Sequence, residues 1–335
     1  IVISMIASIG QKQAHAEHGY LQVNKLNDRV RNLRHSMENT LLPANAVKKQ
    51  HKQEAKEEEQ AAKAQAAALK STKGGKDPEQ ATAPDEEAAP GRVFVLNFEG
   101  DVRASRLDQL RLEVSAILTM AGAADEVVVV LESPGGMVHS YGLAASQLMR
   151  IRDKGIPLTA VVDKVAASGG YLMAAVANKV LAAPFALVGS IGVVAQIPNV
   201  HRLLKKNDVD VEILTAGKYK RTLTTLGENT DEGRQKFVEE LEDVHALFQE
   251  FVADNRPQLD IAAVATGEAW YGKRALDLQL VDALSTSDEY LMQACEDREV
   301  FSVKWVEQRK PIDRLLGKVN GLLDQAAQLL EMWRR

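Results

Sequence analysis

Short apolar runs and amphipathic stretches alternate along the chain from residue 92 onward. The runs RVFVLNF, EVVVVLE, LTAVVDK and KVLAAP are typical of strands, and EVVVVLE is apolar on both faces, as a buried parallel strand is. Between them, residues 107–121, MVHSYGLAASQLMRIRDK and SGGYLMAAVANK carry apolar residues at helical spacing. Repeated strand–helix alternation predicts right-handed crossovers and a parallel sheet covered by helices. The predicted fold class is therefore α/β.

The pattern continues beyond residue 183 with less regular signals. VGSIGVVA predicts a strand or turn, IPNVHRLLKKN a helix and VDVEILTA a strand. An amphipathic stretch from Thr230 to Asn255 predicts a long helix that ends before Pro257. GEAWYGKRALDLQLVDAL predicts a short helix and turn, and VFSVKWV the last strand. Residues 91–310 are thus expected to form one domain.

The N-terminal part of the chain has a different composition. Residues 1–10, IVISMIASIG, are apolar and uncharged, but a bilayer requires about 20 such residues. A frayed helix and the remnant of an N-terminal membrane anchor are the two interpretations, and the abrupt cationic flank favours the anchor. That flank suggests a cytoplasmic location for the domain at 91–310, and a periplasmic one stays open. Residues 11–70 predict a helical region interrupted at Pro43, and residues 71–90 a flexible linker.

The C-terminal stretch 311–335 predicts an amphipathic helix. Its apolar face would cover the sheet, a neighbouring subunit or a membrane surface, and the pattern does not distinguish these.

Composition narrows the classes of function. The chain has 335 residues, 45% of them hydrophobic, and a net charge of -5, which gives no reason to expect a nucleic acid partner. The only cysteine is Cys295, so an internal disulfide and a spaced cysteine metal cluster are both excluded. We expect neither a metal nor a cofactor.

Glycine-bearing breaks follow three of the apolar runs: ESPGG at 132–136, AASGG at 166–170 and GSIG at 189–192. Loops after neighbouring parallel strands meet at the carboxyl edge of an α/β sheet, where ligands bind. Gly136 and Gly169 are then placed to aim two backbone N–H groups at one point beside Ser168, as a tetrahedral oxyanion requires. The alternative is that Ser168 only caps the next helix.

A serine nucleophile needs a base, and the residues leave three candidates open. His139 lies three residues after Gly136. Lys218 and Lys220 lie in TAGKYKRTLT, residues 215–224, which follows the predicted strand VDVEILTA. A lysine that is desolvated near a serine has a lowered pKa and can act as a general base.

The motifs ESPGGMV, AASGGYLMA, VGSIGVV and TAGKYKRTLT, in this order, resemble the signal peptide peptidase A family of serine proteases. The resemblance implies a Clp protease/crotonase-type fold and a Ser–Lys dyad, with Ser168 as nucleophile and Lys220 as general base. It further implies that Gly136 and Gly169 form the oxyanion site and that Ser190 orients the lysine.

The same resemblance implies a membrane-anchored endopeptidase of the bacterial inner membrane. Its substrates would be extended apolar peptides, such as signal peptides or fragments of misfolded membrane proteins. It also implies a ring of subunits, in which Ser168 of one subunit could meet Lys220 of the next.

Two other functions remain as alternatives on this fold. A crotonase-like acyl-CoA enzyme also uses paired loop N–H groups, but such enzymes usually carry carboxylates in the pocket, and the SGG stretch supplies none. A non-catalytic membrane scaffold is the second alternative.

Overall fold

The computed structural model describes residues 19–49, 51–53, 56, 60, 63 and 91–307. The predicted anchor remnant (1–10), linker (71–90) and C-terminal helix (311–335) lie outside the described residues. Within the described part, no helix has the length and apolar character needed to cross a membrane.

A mostly parallel sheet of nine strands organises the described residues, in the order β1-β9-β2-β3-β4-β5-β8, with β6 joining β4 to β7. Only the β1–β9 and β6–β7 pairs are antiparallel. The strands are β1 Gly19–Lys25, β2 Val93–Glu99, β3 Glu126–Ser133, β4 Leu158–Ala167, β5 Lys179–Ala182, β6 Leu187–Gly189, β7 Ala269–Tyr271, β8 Ala283–Leu284 and β9 Val300–Glu307.

Helices fill the connections between these strands. They are α1 Leu26–Leu41, α2 Leu107–Leu118, α3 Val138–Asp153, α4 Gly169–Ala175, α5 His201–Lys206, α6 Asp231–Asn255, α7 Ile261–Val264, α8 Gly272–Asp277 and α9 Ser287–Asp297. A further helical stretch covers 44–49. Helix α6 begins as its sequence predicts, because the Thr230 side chain accepts a hydrogen bond from the Gly233 N–H.

The core lies on both faces of the sheet. Helices α2, α3 and α4 bury their apolar faces on one side, with side chains such as Leu110, Leu148 and Met173 fully enclosed. Strand β3 is buried along almost its whole length, as the run EVVVVLE indicates. The predicted α/β class, with a parallel sheet and flanking helices, is confirmed.

The predicted strand at 209–216 is wrong, and the prediction for 11–70, whose described residues are mostly helical, did not include a strand. The helical region over 11–70 contains strand β1, Gly19–Lys25, which pairs with β9 over its full length. VDVEILTA, residues 209–216, forms no strand, and its side chains are largely exposed. A strand requires a partner for its backbone groups. β9 supplies one for β1, whereas no strand in the described part of the chain pairs with 209–216.

Candidate active site

Ser168 lies in the sharp turn between β4 and α4. Its backbone has φ 50° and ψ −120°, a region that side-chain-bearing residues rarely occupy and that costs roughly 1–3 kcal/mol. The turn is held because the Ser168 N–H donates to the Gly189 carbonyl at 2.8 Å. Ser168 is the N-cap residue of α4, yet its side chain makes no capping hydrogen bond. Helix capping therefore does not account for a serine in this strained position.

The SPGG loop after β3 packs directly against Ser168. Gly135 has φ +87°, and a Cβ added to it would lie 2.7 Å from the Gly169 nitrogen and 2.7 Å from the Ser168 Cβ. Only glycine allows this approach. The N–H groups of Gly136 and Gly169 donate to no acceptor among the described residues, so both can bind a ligand oxygen. Gly135 was not predicted, although its place in the SPGG motif was the available signal.

A buried hydroxyl network holds this loop in place. The Tyr141 hydroxyl donates to the Asp101 carbonyl at 2.7 Å and lies 2.6 Å from Ser133 Oγ, which accepts the Gly135 N–H at 3.1 Å. Burial raises the pKa of Tyr141, so the phenol keeps its proton and its role as a donor. The network ties the loop beside the serine to α3.

Ser190 lies beside Ser168 at the end of the neighbouring strand. Ala167 of β4 pairs with Gly189 of β6, so the next residue of each strand is a serine at the same sheet edge. Ser190 also has a positive φ, 53°, and its N–H donates to the Glu268 carbonyl at 2.6 Å. The structure thus brings together Ser168, Ser190, Gly136 and Gly169.

These four residues line a cleft of about 1390 Å³. Helix α6 forms one wall, and the segment after Ser190 forms another. Among the described residues, no acidic side chain lines the cleft. Its apolar lining includes Met137, Val138, Leu172, Val193, Ile197, Leu247, Phe248 and Phe251.

Lys220 does not line this cleft in the single chain. It is exposed and borders a second cavity of about 690 Å³, together with Tyr219, Arg221 and Glu240. The lysine loop, residues 215–224, rests on the first turns of α6, where the Thr222 carbonyl lies against Gly233. The predicted serine and lysine thus border different cavities.

The other two candidate bases differ in their surroundings. Lys218 Nζ lies 2.8 Å from Glu232 Oε1, and this carboxylate raises the pKa of Lys218 above its ordinary value. The ammonium form is therefore favoured, which opposes a role as a base. His139 is exposed on α3 and does not line the cleft.

His245 on α6 is a cleft residue that the sequence did not single out. It lines the same cavity as Ser168, and its Nε2 lies 3.2 Å from the Ile191 carbonyl. The helical period of 230–255 indicates which residues share a face of the helix, but it does not reveal what that face packs against.

One side-chain cluster in the described part of the chain has the composition of a metal site. Ligand atoms of His35, Glu38 and His51 lie within 4.8 Å of one another. The carboxylate pairs with His51 at 3.4 Å and with Arg34 at 3.7 Å. The two imidazoles stack with centroids 3.9 Å apart, whereas two imidazoles on one tetrahedral zinc lie roughly 5 Å apart. The stacked rings therefore do not have the spacing of two ligands on one zinc ion.

Comparisons with known proteins agree with this arrangement of motifs. "Probable protease SohB" of Haemophilus influenzae is 61% identical over 213 residues, which are 64% of this chain and 60% of the relative. "Probable protease SohB" of Buchnera aphidicola from Acyrthosiphon pisum is 50% identical over 234 residues, 70% of each chain. "Protease 4" of Salmonella typhi is 27% identical over 255 residues and matches over 39% of its length.

Family profiles match both halves of the chain. The profile described as "Peptidase family S49 N-terminal" matches residues 1–148, and "Peptidase family S49" matches residues 150–300. Together with the two closely similar SohB relatives, these matches confirm the resemblance that the glycine-bearing motifs indicate. The chain belongs to peptidase family S49.

Proposed function

We propose that the protein is a serine endopeptidase with Ser168 as nucleophile and Lys220 as general base. The strained Ser168 turn, with two unoccupied backbone donors beside it, is the observation that carries this proposal. A position that costs stability and is not used for capping indicates a functional constraint.

The residues divide the reaction between them. A neutral lysine amine takes the Ser168 proton as Oγ attacks the peptide carbonyl, and the N–H groups of Gly136 and Gly169 bind the oxyanion. The resulting ammonium returns the proton to the leaving amine, which leaves an acyl ester on Ser168. Water, deprotonated by the same lysine, then attacks the ester; the bond to Ser168 Oγ breaks, the acid leaves, and the ammonium returns its proton to Oγ.

We propose that Lys220 comes from a neighbouring subunit. Lysine serves as a base only when it is buried away from acids, whereas Lys220 is exposed in the single chain. Apolar side chains next to the cleft and the lysine loop are also open to solvent, with Val194 91% and Leu214 90% exposed. Exposed apolar side chains that form a contiguous patch are typical of protein interfaces. Association into a ring would cover them and bring a lysine to each cleft.

The cleft supports extended apolar peptides as substrates. Its walls carry aliphatic and phenyl side chains, and no carboxylate lines it to attract basic residues. The small loops around Ser168 favour a small or apolar residue before the cut. Attachment to the bacterial inner membrane through the apolar segment 1–10 is part of the same proposal and rests on the sequence and the family.

None of the described residues that line the cleft is acidic, and the enolate chemistry of an acyl-CoA enzyme usually needs a carboxylate, which supports the protease over that alternative. A scaffold would require neither the strain at Ser168 nor the free amides.

Labelling with a fluorophosphonate probe tests the proposal. We expect the wild type to label at Ser168 and to cleave an apolar fluorogenic peptide. The Ser168→Ala variant should fold with the same circular dichroism spectrum and neither label nor cleave. Cleavage by this variant at the wild-type rate would remove Ser168 from the mechanism.

A further inference from the structure

His245 contacts the loop that carries Ser190. Its Nε2 lies 3.2 Å from the Ile191 carbonyl oxygen, and Gln249 Nε2 lies 3.3 Å from Nδ1 and 3.2 Å from Nε2. A carbonyl only accepts, so the imidazole nitrogen that faces it must carry the proton. The contact therefore places a ring N–H at Nε2, aimed at the Ile191 carbonyl.

The loop after β6 is held from two sides. The turn at 266–268 holds it through Gly267 N–H, which donates to the Ile191 carbonyl at 3.1 Å, and through Ser190 N–H, which donates to Glu268. From the other side, His245 on α6 contacts the same Ile191 carbonyl. A non-glycine residue at positive φ, such as Ser190, persists only where its surroundings over-determine it. The donor of His245 is one of these constraints.

The same loop also supports the nucleophile. The Gly189 carbonyl accepts the Ser168 N–H at 2.8 Å, and Gly189 directly precedes Ser190. A shift of the Ile191 carbonyl therefore reaches both the nucleophile turn and the serine that faces the cleft.

We propose that His245 is a positioning residue. Its Nε2–H donates to the Ile191 carbonyl and so fixes the loop of Ser190, which in turn supports the turn of Ser168. This inference rests on the proposed serine endopeptidase function. His245 takes no proton from the substrate in this role. Its loss should lower kcat and leave KM nearly unchanged, because substrate still meets the same apolar walls.

Two substitutions of His245 distinguish the effect of its hydrogen-bond donor from the effect of its ring packing. In His245→Gln the amide nitrogen reaches the position of Nε2, whereas in His245→Asn it reaches only the position of Nδ1. Both remove the imidazole, so both lose similar packing. The Gln variant should keep kcat within about 3-fold of wild type, and the Asn variant should lose about 10-fold, the rate equivalent of one net hydrogen bond.

The experiment measures kcat and KM with an apolar fluorogenic peptide and the rate at which a fluorophosphonate labels Ser168, all on the full chain. His201→Gln and His201→Asn are the matched controls, because His201 on α5 does not line the cleft. We expect the labelling rate to follow kcat in the His245 pair and to stay at the wild-type value in the controls. Both His245 variants should be fully folded at the assay temperature, as circular dichroism measures, and the Asn variant should melt a few degrees below the Gln variant because it lacks the hydrogen bond to Ile191.

Equal kcat in the two His245 variants would overturn the proposal, as would a raised KM at unchanged kcat, which would make His245 only a wall of the cleft. A wild type that neither cleaves nor labels would instead refute the endopeptidase function, and this inference with it. An active wild type with no Gln–Asn difference refutes the role of His245 alone.

Discussion

Subunit mixing tests whether the serine and the lysine meet between chains. Within one chain, the backbone contact of the lysine loop with α6 is at Gly233, and the first cleft residue of this helix is Val244. These positions are 11 residues apart (244 − 233), about 16 Å at 1.5 Å per residue. A lysine side chain is about 6 Å long, which is less than half of this distance. In the proposed assembly, a lysine supplied by a neighbouring chain would not have to span this distance.

The perturbation is a pair of inactive variants, Ser168→Ala and Lys220→Ala, that are unfolded, mixed and refolded together. If each site takes its serine from one subunit and its lysine from the next, an equal mixture has both groups at about one quarter of its sites. Peptide cleavage should recover to roughly 25% of wild type. The labelling fraction at Ser168 should recover to the same extent.

Each variant refolded alone is the first control and should stay inactive. A mixture of Ser168→Ala with His139→Ala is the second, and it should show the activity of its Ser168-bearing subunits. Zero recovery from a mixture that forms assemblies of wild-type size would refute the dyad between subunits and place both groups in one chain.

Two further predictions concern the residues around the site. Tyr141→Phe removes the donor to the Asp101 carbonyl and the partner of Ser133, so unfolding in urea should show a loss of about 1–3 kcal/mol. The same variant should have a lower kcat, and a stability and kcat equal to wild type would show that the network does not hold the loop. A lysine base works only after it loses its proton, so the wild-type rate should rise towards alkaline pH. Lys218→Ala should cleave within about 3-fold of wild type and keep this rise, because Glu232 raises the pKa of Lys218 and favours its charged form. A lost alkaline rise in this variant would make Lys218 the base.

The periodic parts of the sequence determine most of the fold. Strands such as EVVVVLE and helices such as Thr230–Asn255 are specified locally, since their apolar spacing and caps depend on residues a few positions apart. The place of Ser168 between a strand and a helix follows in the same way. The meeting of the SPGG and SGG loops also follows, because parallel strands align their carboxyl ends.

Tertiary structure alone decided which segments find partners. GYLQVNK has no strong strand signal, yet it pairs with β9 at the other end of the described chain. VDVEILTA has a strand pattern and no partner in the described residues, and it stays irregular. Strands can pair at any sequence separation, so the pattern of a short segment does not show whether a distant strand will satisfy its backbone hydrogen bonds.

The same reason applies to the site. Motif order places Ser168, Gly136, Gly169 and Ser190 at one sheet edge, and the structure shows that they share a cleft. His245 joins them only because α6 packs across that edge, and Lys220 lies at a different cavity because its loop rests on the start of the same helix. Sequence determines which side chains a helix presents on each face, and the packing of the helix determines what they meet.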